Sequence, residues 1–324
     1  MTEKLHSYDM ALFSRSFLNC AQRHSIVMLA ERRVRVAELF ATCHVSSDVI
    51  LDQCIRKRIP KYDFDFDGLT DADFQMAGVD RKSQFPDNFA TARDTVLERI
   101  AADGFVLLAG DVFYLEHCPE FRNAHLFHLI IVTGYDAQTD TWAIIDDNPA
   151  SVLCHYSYKT PDLAAFYNNN SVREFRTYAA LATQDTAAAL HRFRAHQKGR
   201  TDSLVLLTGI HDLLASPWND PGVLFGHLGQ AMSILAGSRR CFGAFLRDVA
   251  HQPDLANMAD ALSDRAFKLR ELITFAGLGK MPPSRRIPAR AAELAAAEAD
   301  FSASLITLTQ SLEEDETNDL CTHG

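Results

Sequence analysis

Hydrophobic positions in the first half of the chain come in short runs separated by polar turns. Residues 129–133 and 142–145 are β-branched apolar runs, and the polar stretch 137–140 between them is typical of a turn. This pattern predicts a β-hairpin. Because paired strands of a hairpin run in opposite directions, the start of the first strand lies beside the end of the second. The sequence therefore predicts that His128 lies close to Asp146 and Asp147.

Other segments of this half are also short and mixed in type. We expect a helix from Cys20 to about Arg33, with Asn19 as its N-cap. Further helices are predicted at residues 48–58 and 87–102 and from Thr160 onward, where Pro161 occupies the first turn. Strands are predicted at 105–115 with a break at Gly110, at 152–158 and at 172–182. The pattern indicates an α+β domain.

From residue 185 onward the apolar spacing becomes helical and alanine is frequent. Helices are predicted at residues 186–196, 204–215, 223–238, 242–251, 255–276 and 287–312. Short polar or glycine-containing linkers separate them, which favours an antiparallel helical bundle. We therefore predict three parts: an α+β domain at 1–184, a helical domain at 185–312, and a disordered acidic tail at 313–324.

Composition narrows the class of protein. The chain has 324 residues, 47% hydrophobic and 23% charged, and its formal net charge of −10 argues against a nucleic-acid-binding protein. The first ten residues lack an apolar signal core, and no apolar run approaches the length of a membrane span. The seven cysteines show no C-x-x-C spacing, which indicates reduced thiols in a cytoplasmic protein, without a disulfide framework or a zinc ribbon.

The hairpin and the first helix together suggest nucleophilic chemistry. An imidazole beside a carboxylate is half of a nucleophilic triad, and a thiol in the first turn of a helix is stabilised as thiolate. Cys20 is the candidate nucleophile, although most free cysteines are simply small buried hydrophobes. Alternation of side chains along a strand decides which of Asp146 and Asp147 faces His128.

Other polar residues have simpler interpretations. His24 lies one helical turn after Cys20, where it is either a competing base or a surface residue, and we favour the surface. His125 and His128 have the spacing H-x-x-H, but the run that follows predicts a strand and no third ligand is visible, so we do not expect zinc. Residues 62–68 match half of a calcium loop, but Phe74 occupies the position of the required Glu. That segment is interpreted as a strand or acidic loop.

Several motifs around the candidate site form a recognisable set: Leu18-Asn-Cys20, the run from Asp111 to Leu115, His125-x-x-His128-Leu-Ile-Ile-Val-x-Gly134-Tyr-Asp136 and Ile145-Asp146. Together they resemble the butirosin H-type acyltransferase family, whose fold is that of papain-like cysteine proteases. A weaker likeness extends to residues 239–246 and to the helix containing Glu298. By position, the resemblance implies that Cys20 is the nucleophile, His128 the base and Asp146 the group that orients the base. Papain-like enzymes carry a Gln shortly before the Cys, and this chain does not.

The resemblance also implies an activity. The family includes an enzyme that moves an aminoacyl group from an acyl-carrier-protein thioester onto an amine in antibiotic biosynthesis. The expected partners are an acyl or peptidyl carrier protein and a small-molecule amine, without nucleic acid or membrane. No metal and no cofactor are expected beyond the carrier's phosphopantetheine. Candidates for substrate or oxyanion contacts are Asn19, His125, Asp111 and Asp147.

Two other functions remain open. The same triad with water as acceptor would make a hydrolase that cleaves a peptide or thioester. A scaffold protein that keeps the fold and binds a carrier or a pathway enzyme would need no catalysis. The oligomeric state is also open, with a homodimer as one candidate.

Overall fold

The computed structural model describes residues 4–216, 221–280 and 286–322, with side chains described at 4–216, 222–280 and 286–310. Internal contacts divide the chain into two units. The first unit comprises Met1–Val36 and Leu69–Asp185, and the second comprises Ala37–Gly68 and Thr186–Gly324. This division differs from the predicted domains, because residues 37–68 belong with the second unit rather than with the first.

The first unit is built on an antiparallel sheet. Among the described residues it has seven strands in the order β1-β6-β5-β4-β3-β7-β2. The strands are β1 (Lys4–Leu5), β2 (Val79–Gln84), β3 (Val106–Asp111), β4 (Phe127–Asp136), β5 (Thr141–Asp147), β6 (Leu153–Lys159) and β7 (Phe175–Ala180). The central strands β3 and β4 are almost wholly apolar where they pair, and this composition buries them.

Four helices accompany this sheet: α1 (Cys20–Glu31), α3 (Asp71–Met76), α4 (Phe89–Asp103) and α5 (Thr160–Asn168). Asn88 caps the start of α4, and Gly104 ends it in the left-handed conformation with φ of 74°. Side chains of α4 and α5 join those of the central strands in one core cluster that includes Val96, Trp142 and Phe166. Helix α3 and strand β2 were not predicted from the sequence.

Gly110 has a packing role that differs from the predicted strand break. Strand β3 continues through Gly110 to Asp111, and a 3-10 turn, Val112–Tyr114, follows. A Cβ atom at Gly110 would lie 2.4 Å from the ring of Phe166 in α5. The glycine therefore lets α5 pack closely on β3 at the point where Gly110 pairs with His128.

The second unit is helical. Its C-terminal part contains α6 (Thr186–Gln197), α7 (Val205–Thr208), α8 (Ile210–Ala215), α9 (Pro221–Asp248), α10 (Pro253–Gly277) and α11 (Arg286–Thr322). Residues 37–68 contribute a 3-10 helix (Val36–Phe40), α2 (Ser47–Ile50), a π-helix (Leu51–Arg56) and a 3-10 turn (Lys61–Asp63). Of the two interpretations of residues 62–68, a strand or an acidic loop, the structure has the loop, which follows the 3-10 turn.

Three predictions for the helical region differ from what the structure describes. The predicted helix 204–215 is two short helices, α7 and α8, which meet at Gly209. The predicted helices 223–238 and 242–251 are one continuous helix, α9. Arg239, which lies between the two predicted helices, is buried, and its guanidinium donates to both carboxylate oxygens of Glu298. The backbone of α11 extends to Thr322 through most of the predicted tail, whose side chains lie outside the described residues.

The predicted combination of an α+β region with a helical C-terminal region is confirmed. The papain-like identity of the fold stays a prediction. In the part of the chain that the structure describes, no helix is long and apolar enough to cross a membrane.

Candidate functional site

Cys20 occupies the first position of α1. Asn19 is the N-cap, as predicted: its side-chain oxygen accepts from the backbone N–H of Gln22, and the Gln22 side chain accepts from the backbone N–H of Asn19. This capping box holds the start of the helix in place. The thiol is half-buried and sits where the positive end of the helix dipole favours an anion.

Strands β4 and β5 bring His128 and Asp146 together. Their register pairs Val132 with Ile144. Because side chains alternate along a strand, His128 and Asp146 point to the same face as that pair, and Asp147 points to the other face. The Nε2 atom of His128 lies 2.8 Å from Oδ1 of Asp146. Of the two aspartates that the sequence left as candidates, Asp146 is therefore the one that faces His128.

The thiol of Cys20 and the imidazole of His128 form a charge pair. Burial by itself would raise the pKa of Cys20, but the charge of His128 and a hydrogen bond to its ring outweigh this, and the backbone N–H of Leu129 and Arg15 add to the effect. The net result is a lowered pKa for the Cys20 thiol. Burial would lower the pKa of His128, yet the charges of Asp146 and Cys20 hold that pKa well above its ordinary value.

These opposite shifts define the protonation state of the pair. Between the lowered pKa of Cys20 and the raised pKa of His128, the thiol is ionised and the imidazole is protonated. Such a pair supplies a nucleophile and a general acid. The arrangement is therefore suited to attack on an activated carbonyl.

Asp146 has a second imidazole partner that the sequence did not suggest. Nε2 of His117 lies 2.9 Å from Oδ2 of Asp146, and Nδ1 of His117 lies 2.7 Å from the hydroxyl of Tyr158. Burial would raise the pKa of the Asp146 carboxyl, but the charge of His128 and the bonds from both imidazoles hold it far below its usual range. His117 stands in a polar loop between elements, where no periodicity marks it.

Asp147 belongs to a separate ion pair. Its Oδ1 contacts the guanidinium of the fully buried Arg23, and its Oδ2 lies 3.1 Å from Nη1 of Arg15. Arg23 also donates to the carbonyl of Ser151 at 3.1 Å. A signal for Arg23 was present in the sequence, since positions 20, 23 and 24 share one face of a helix. Through Asp147 and the carbonyl of Ser151, Arg23 thus holds α1 to the end of β5 and to the loop that follows it.

His24 corrects the sequence interpretation, because it is buried rather than at the surface. Its Nδ1 lies 2.9 Å from the carbonyl oxygen of Leu129, and its Nε2 lies 3.7 Å from Oδ1 of Asp146. Burial and then the charge of Arg23 lower its pKa to about 3. His24 is therefore neutral at physiological pH and is a weak base beside the stronger His128.

His125 and Asp111 form their own pair. Nδ1 of His125 lies 2.6 Å from Oδ2 of Asp111, and its ring stacks on Phe113 with centroids 4.2 Å apart. Asp111 also accepts from the backbone N–H groups of Phe113 and Leu126. The His125 side chain is 66% exposed, in contrast to 12% for His128. The pair stabilises the loop that leads into β4.

Among the residues that the structure describes, two groups of side chains have ligand atoms close enough to hold a metal ion. They are His117 with Cys118 and Asp146, and His24 with Asp146 and Asp147. Both groups depend on Asp146, whose two oxygens already face His128 and His117. Burial, followed by the charge of Asp146, raises the pKa of Cys118 far above that of a free thiol, which disfavours the thiolate that metals bind. We assign neither group as a metal site.

The chain has known relatives in part of its length. Residues 66–147 match the family described as Butirosin biosynthesis protein H, N-terminal. This segment contains His117, His128 and Asp146, and it begins after Cys20. The resemblance predicted from the sequence is confirmed for this segment, while Leu18-Asn-Cys20 and residues 239–246 lie outside this family match.

One curated relative gives the likeness a chemical context. Over 136 residues the chain is 26% identical to a protein of Niallia circulans, the ribostamycin:4-(gamma-L-glutamylamino)-(S)-2-hydroxybutanoyl-(BtrI acyl-carrier protein) 4-(gamma-L-glutamylamino)-(S)-2-hydroxybutanoate transferase. The match covers 41% of this chain and 45% of the relative. The chain thus spans less than half of the length of the curated relative it matches.

Proposed function

We propose that this protein is an acyltransferase that moves an acyl or aminoacyl group from a carrier-protein thioester to an amine in the biosynthesis of a specialised metabolite. One observation carries the proposal: the thiol of Cys20, at a helix N-terminus, pairs with His128, which in turn bonds to the buried Asp146. The name of the Niallia circulans relative, a transferase that uses an acyl-carrier protein, supports the choice of donor.

The proposed reaction proceeds in two steps. The Cys20 thiolate attacks the thioester carbonyl, and the departing carrier thiol takes a proton from the His128 imidazolium. The amine then attacks the acyl-enzyme while His128 removes its proton, and the C–S bond to Cys20 breaks. The products are an amide, the free carrier thiol and the starting enzyme. Asp146 keeps His128 in the required orientation and stabilises its protonated form.

Donors for the developing oxyanion come from the start of α1. The carbonyl oxygen of the Asn19 side chain caps the helix, so its amide N–H groups are the part of that side chain able to donate. Together with backbone N–H groups of the first helical turn, they replace the Gln of papain-like enzymes. His125 and Asp111 support the nearby loop, and a contact to the substrate is proposed for exposed His125.

The proposal predicts an acyl adduct on Cys20. Incubation with an acyl-loaded carrier protein, without amine, should add the mass of the acyl group, and peptide mapping should place it on Cys20. Cys20→Ala should remove the adduct, whereas Cys118→Ala is the matched control and should keep it, since Cys118 is a protonated, partly buried thiol. An adduct that persists in Cys20→Ala would contradict the assignment.

The acceptor that releases the acyl group from Cys20 distinguishes a transferase from a hydrolase. Release of the adduct by an added amine, with formation of an amide, identifies a transferase. Release by water at the same rate with and without amine would instead identify a hydrolase. No adduct from any thioester, together with stable binding of the carrier, would indicate a scaffold.

A positive surface near the site is proposed to meet the carrier. Carrier proteins are usually acidic and this chain has a net charge of −10, so association needs a local basic patch. Arg32, Arg33 and Arg35 are exposed at the end of α1, about 18 Å along the helix from Cys20. Arg32 packs over the ring of Phe105, and Arg35 bonds to Gln184.

The sequence also offers a second basic cluster, Arg239 and Arg240 with Arg285 and Arg286, but Arg239 and Arg240 are poorly placed to meet a carrier. Arg239 is fully buried on Glu298. Arg240 is neutralised by Asp260 and Asp264, while Arg285 lies outside the described residues. The α1 cluster is therefore the proposed docking surface.

Charge reversal at this cluster should separate docking from chemistry. We expect Arg33→Glu with Arg35→Glu to slow acylation by a carrier-bound donor about tenfold at low salt, with less effect at high salt, because the attraction is screened. Acylation by a small thioester should be unchanged. Arg265→Glu with Arg270→Glu, two exposed positions on α10, makes the same change in charge and should have little effect. Equal losses on both donors would contradict a docking role.

A further inference from the structure

The Asp146 carboxylate is shared by two histidines, and only one of them belongs to the proposed catalytic site. Oδ1 faces Nε2 of His128 at 2.8 Å and Oδ2 faces Nε2 of His117 at 2.9 Å. Asp146 is completely buried, so neither oxygen has water to replace a lost partner. Each imidazole therefore limits how the carboxylate can rotate toward the other.

Asp146 and Tyr158 together determine which nitrogen of His117 carries the proton. The Tyr158 hydroxyl lies 2.7 Å from Nδ1 of His117, and its oxygen also accepts from the backbone N–H of His117 at 3.3 Å. An ionised carboxylate can only accept, so the proton of a neutral His117 lies on Nε2 and is donated to Asp146. Nδ1 is then an acceptor, and the Tyr158 hydroxyl donates to it.

The His117 ring is held by packing as well as by hydrogen bonds. It stacks on Tyr156 with centroids 3.9 Å apart, and its side chain is 5% exposed. Tyr158 belongs to the core cluster of the first unit. The chain Tyr158 to His117 to Asp146 is thus anchored in the core, and it ends on the group that orients His128.

We propose that His117 is a positioning residue for the Cys20 site, which acts by holding Oδ2 of Asp146 so that Oδ1 stays aligned on His128, and that Tyr158 fixes the tautomer this requires. The inference rests on the proposed function of Cys20 and His128. His117 acts through the Asp146 carboxylate and has no direct role at the reacting carbonyl.

Loss of this support should narrow the range of pH over which the thiolate–imidazolium pair exists. A misaligned carboxylate stabilises the protonated form of His128 less, so the pKa of His128 falls and the pKa of Cys20 rises toward that of a free thiol. Other charged or titratable groups around the carboxylate and the thiol stay in place and are common to all variants: His24, Cys118, Asp147, Arg15, Arg23 and Arg176.

The test is the pH dependence of Cys20 alkylation by iodoacetamide in the intact protein, followed by peptide mapping. This reaction needs no carrier or amine. For wild type we expect thiolate reactivity well below pH 8. In His117→Ala the acid limb should move up by about one pH unit, so the alkylation rate at a given pH on that limb should fall roughly tenfold. His117→Gln keeps an N–H donor and should recover part of the shift.

Tyr158→Phe removes the hydroxyl that bonds to Nδ1 of His117 and keeps the buried ring, so it tests the role of the His117 tautomer. It should shift the acid limb in the same direction by less, with about a threefold loss of rate. Tyr156→Phe is the matched control, because it changes the ring that stacks on His117 rather than the one that bonds to it, and its profile should follow wild type. A purely structural role would lower the melting temperature without moving the pH profile.

The outcomes separate this inference from the proposed function. If wild-type Cys20 reacts at low pH and both His117→Ala and Tyr158→Phe superimpose on it, the positioning role is wrong while the catalytic site stands. If wild-type Cys20 titrates as an ordinary thiol, the proposed site fails and the positioning role fails with it.

Discussion

Replacing His128 with alanine is expected to lower the rate of acyl transfer by roughly 10²–10⁴-fold, the range typical for loss of a general acid–base. The reason lies in the pair that His128 forms with Cys20, because without the imidazolium the thiol loses the main influence that lowers its pKa. Burial of Cys20 then works against the thiolate. Single-turnover measurements of acyl loading test this directly.

His125→Ala is the matched control for His128→Ala. The two residues lie three positions apart, but His125 is largely exposed and bonds to Asp111. We expect a loss of activity within a few-fold, caused by a looser loop. Both variants should keep the circular dichroism spectrum of the wild type. A larger loss at His125 than at His128 would reverse the roles proposed for them.

Asp146→Asn is expected mainly to lower activity, and Asp147→Asn mainly to lower stability. In Asp146→Asn one carboxylate oxygen becomes an amide N–H2, which faces an imidazole with a donor where an acceptor is needed. Loss of the orienting carboxylate should lower the rate on the order of 10³-fold or more while the protein stays folded. Steady-state rates together with the melting temperature measure the two effects separately.

For Asp147→Asn we expect the larger cost in stability. The substitution leaves the fully buried guanidinium of Arg23 without its carboxylate, and breaking a buried ion pair from one side costs about 3 kcal/mol. Urea unfolding should show this loss, with a smaller loss of activity in the folded fraction. If Asp147→Asn abolishes activity in a protein of normal stability, Asp147 rather than Asp146 is the orienting group.

Several features of the site follow from local patterns in the amino-acid sequence. The β-branched runs on either side of a polar turn predicted the hairpin, and its antiparallel pairing predicted that His128 meets Asp146 or Asp147. Asn19 before an amphipathic run predicted the start of α1 and the position of Cys20. These features depend on residues close together in the chain, so spacing is sufficient to predict them.

The register of the β4–β5 hairpin, by contrast, could be determined only from the structure. Two neighbouring aspartates point to opposite faces, and only the pairing of Val132 with Ile144 shows which one faces His128. The same limit applies to Arg239, whose position in a basic pair suggested an exposed surface. Its burial depends on Glu298, 59 residues away, which no local pattern could reveal.

The sequence alone determined the hairpin, the capped helix that carries Cys20, and the change from mixed to helical structure near residue 185. Only the tertiary structure decided that Asp146 is shared by His128 and His117, that Arg23 neutralises Asp147 across 124 residues, and that residues 37–68 join the helical unit. The physical reason is that these contacts form between segments far apart in the chain. Their partners are selected by packing and burial, and a polar side chain shows neither until its neighbours are in place.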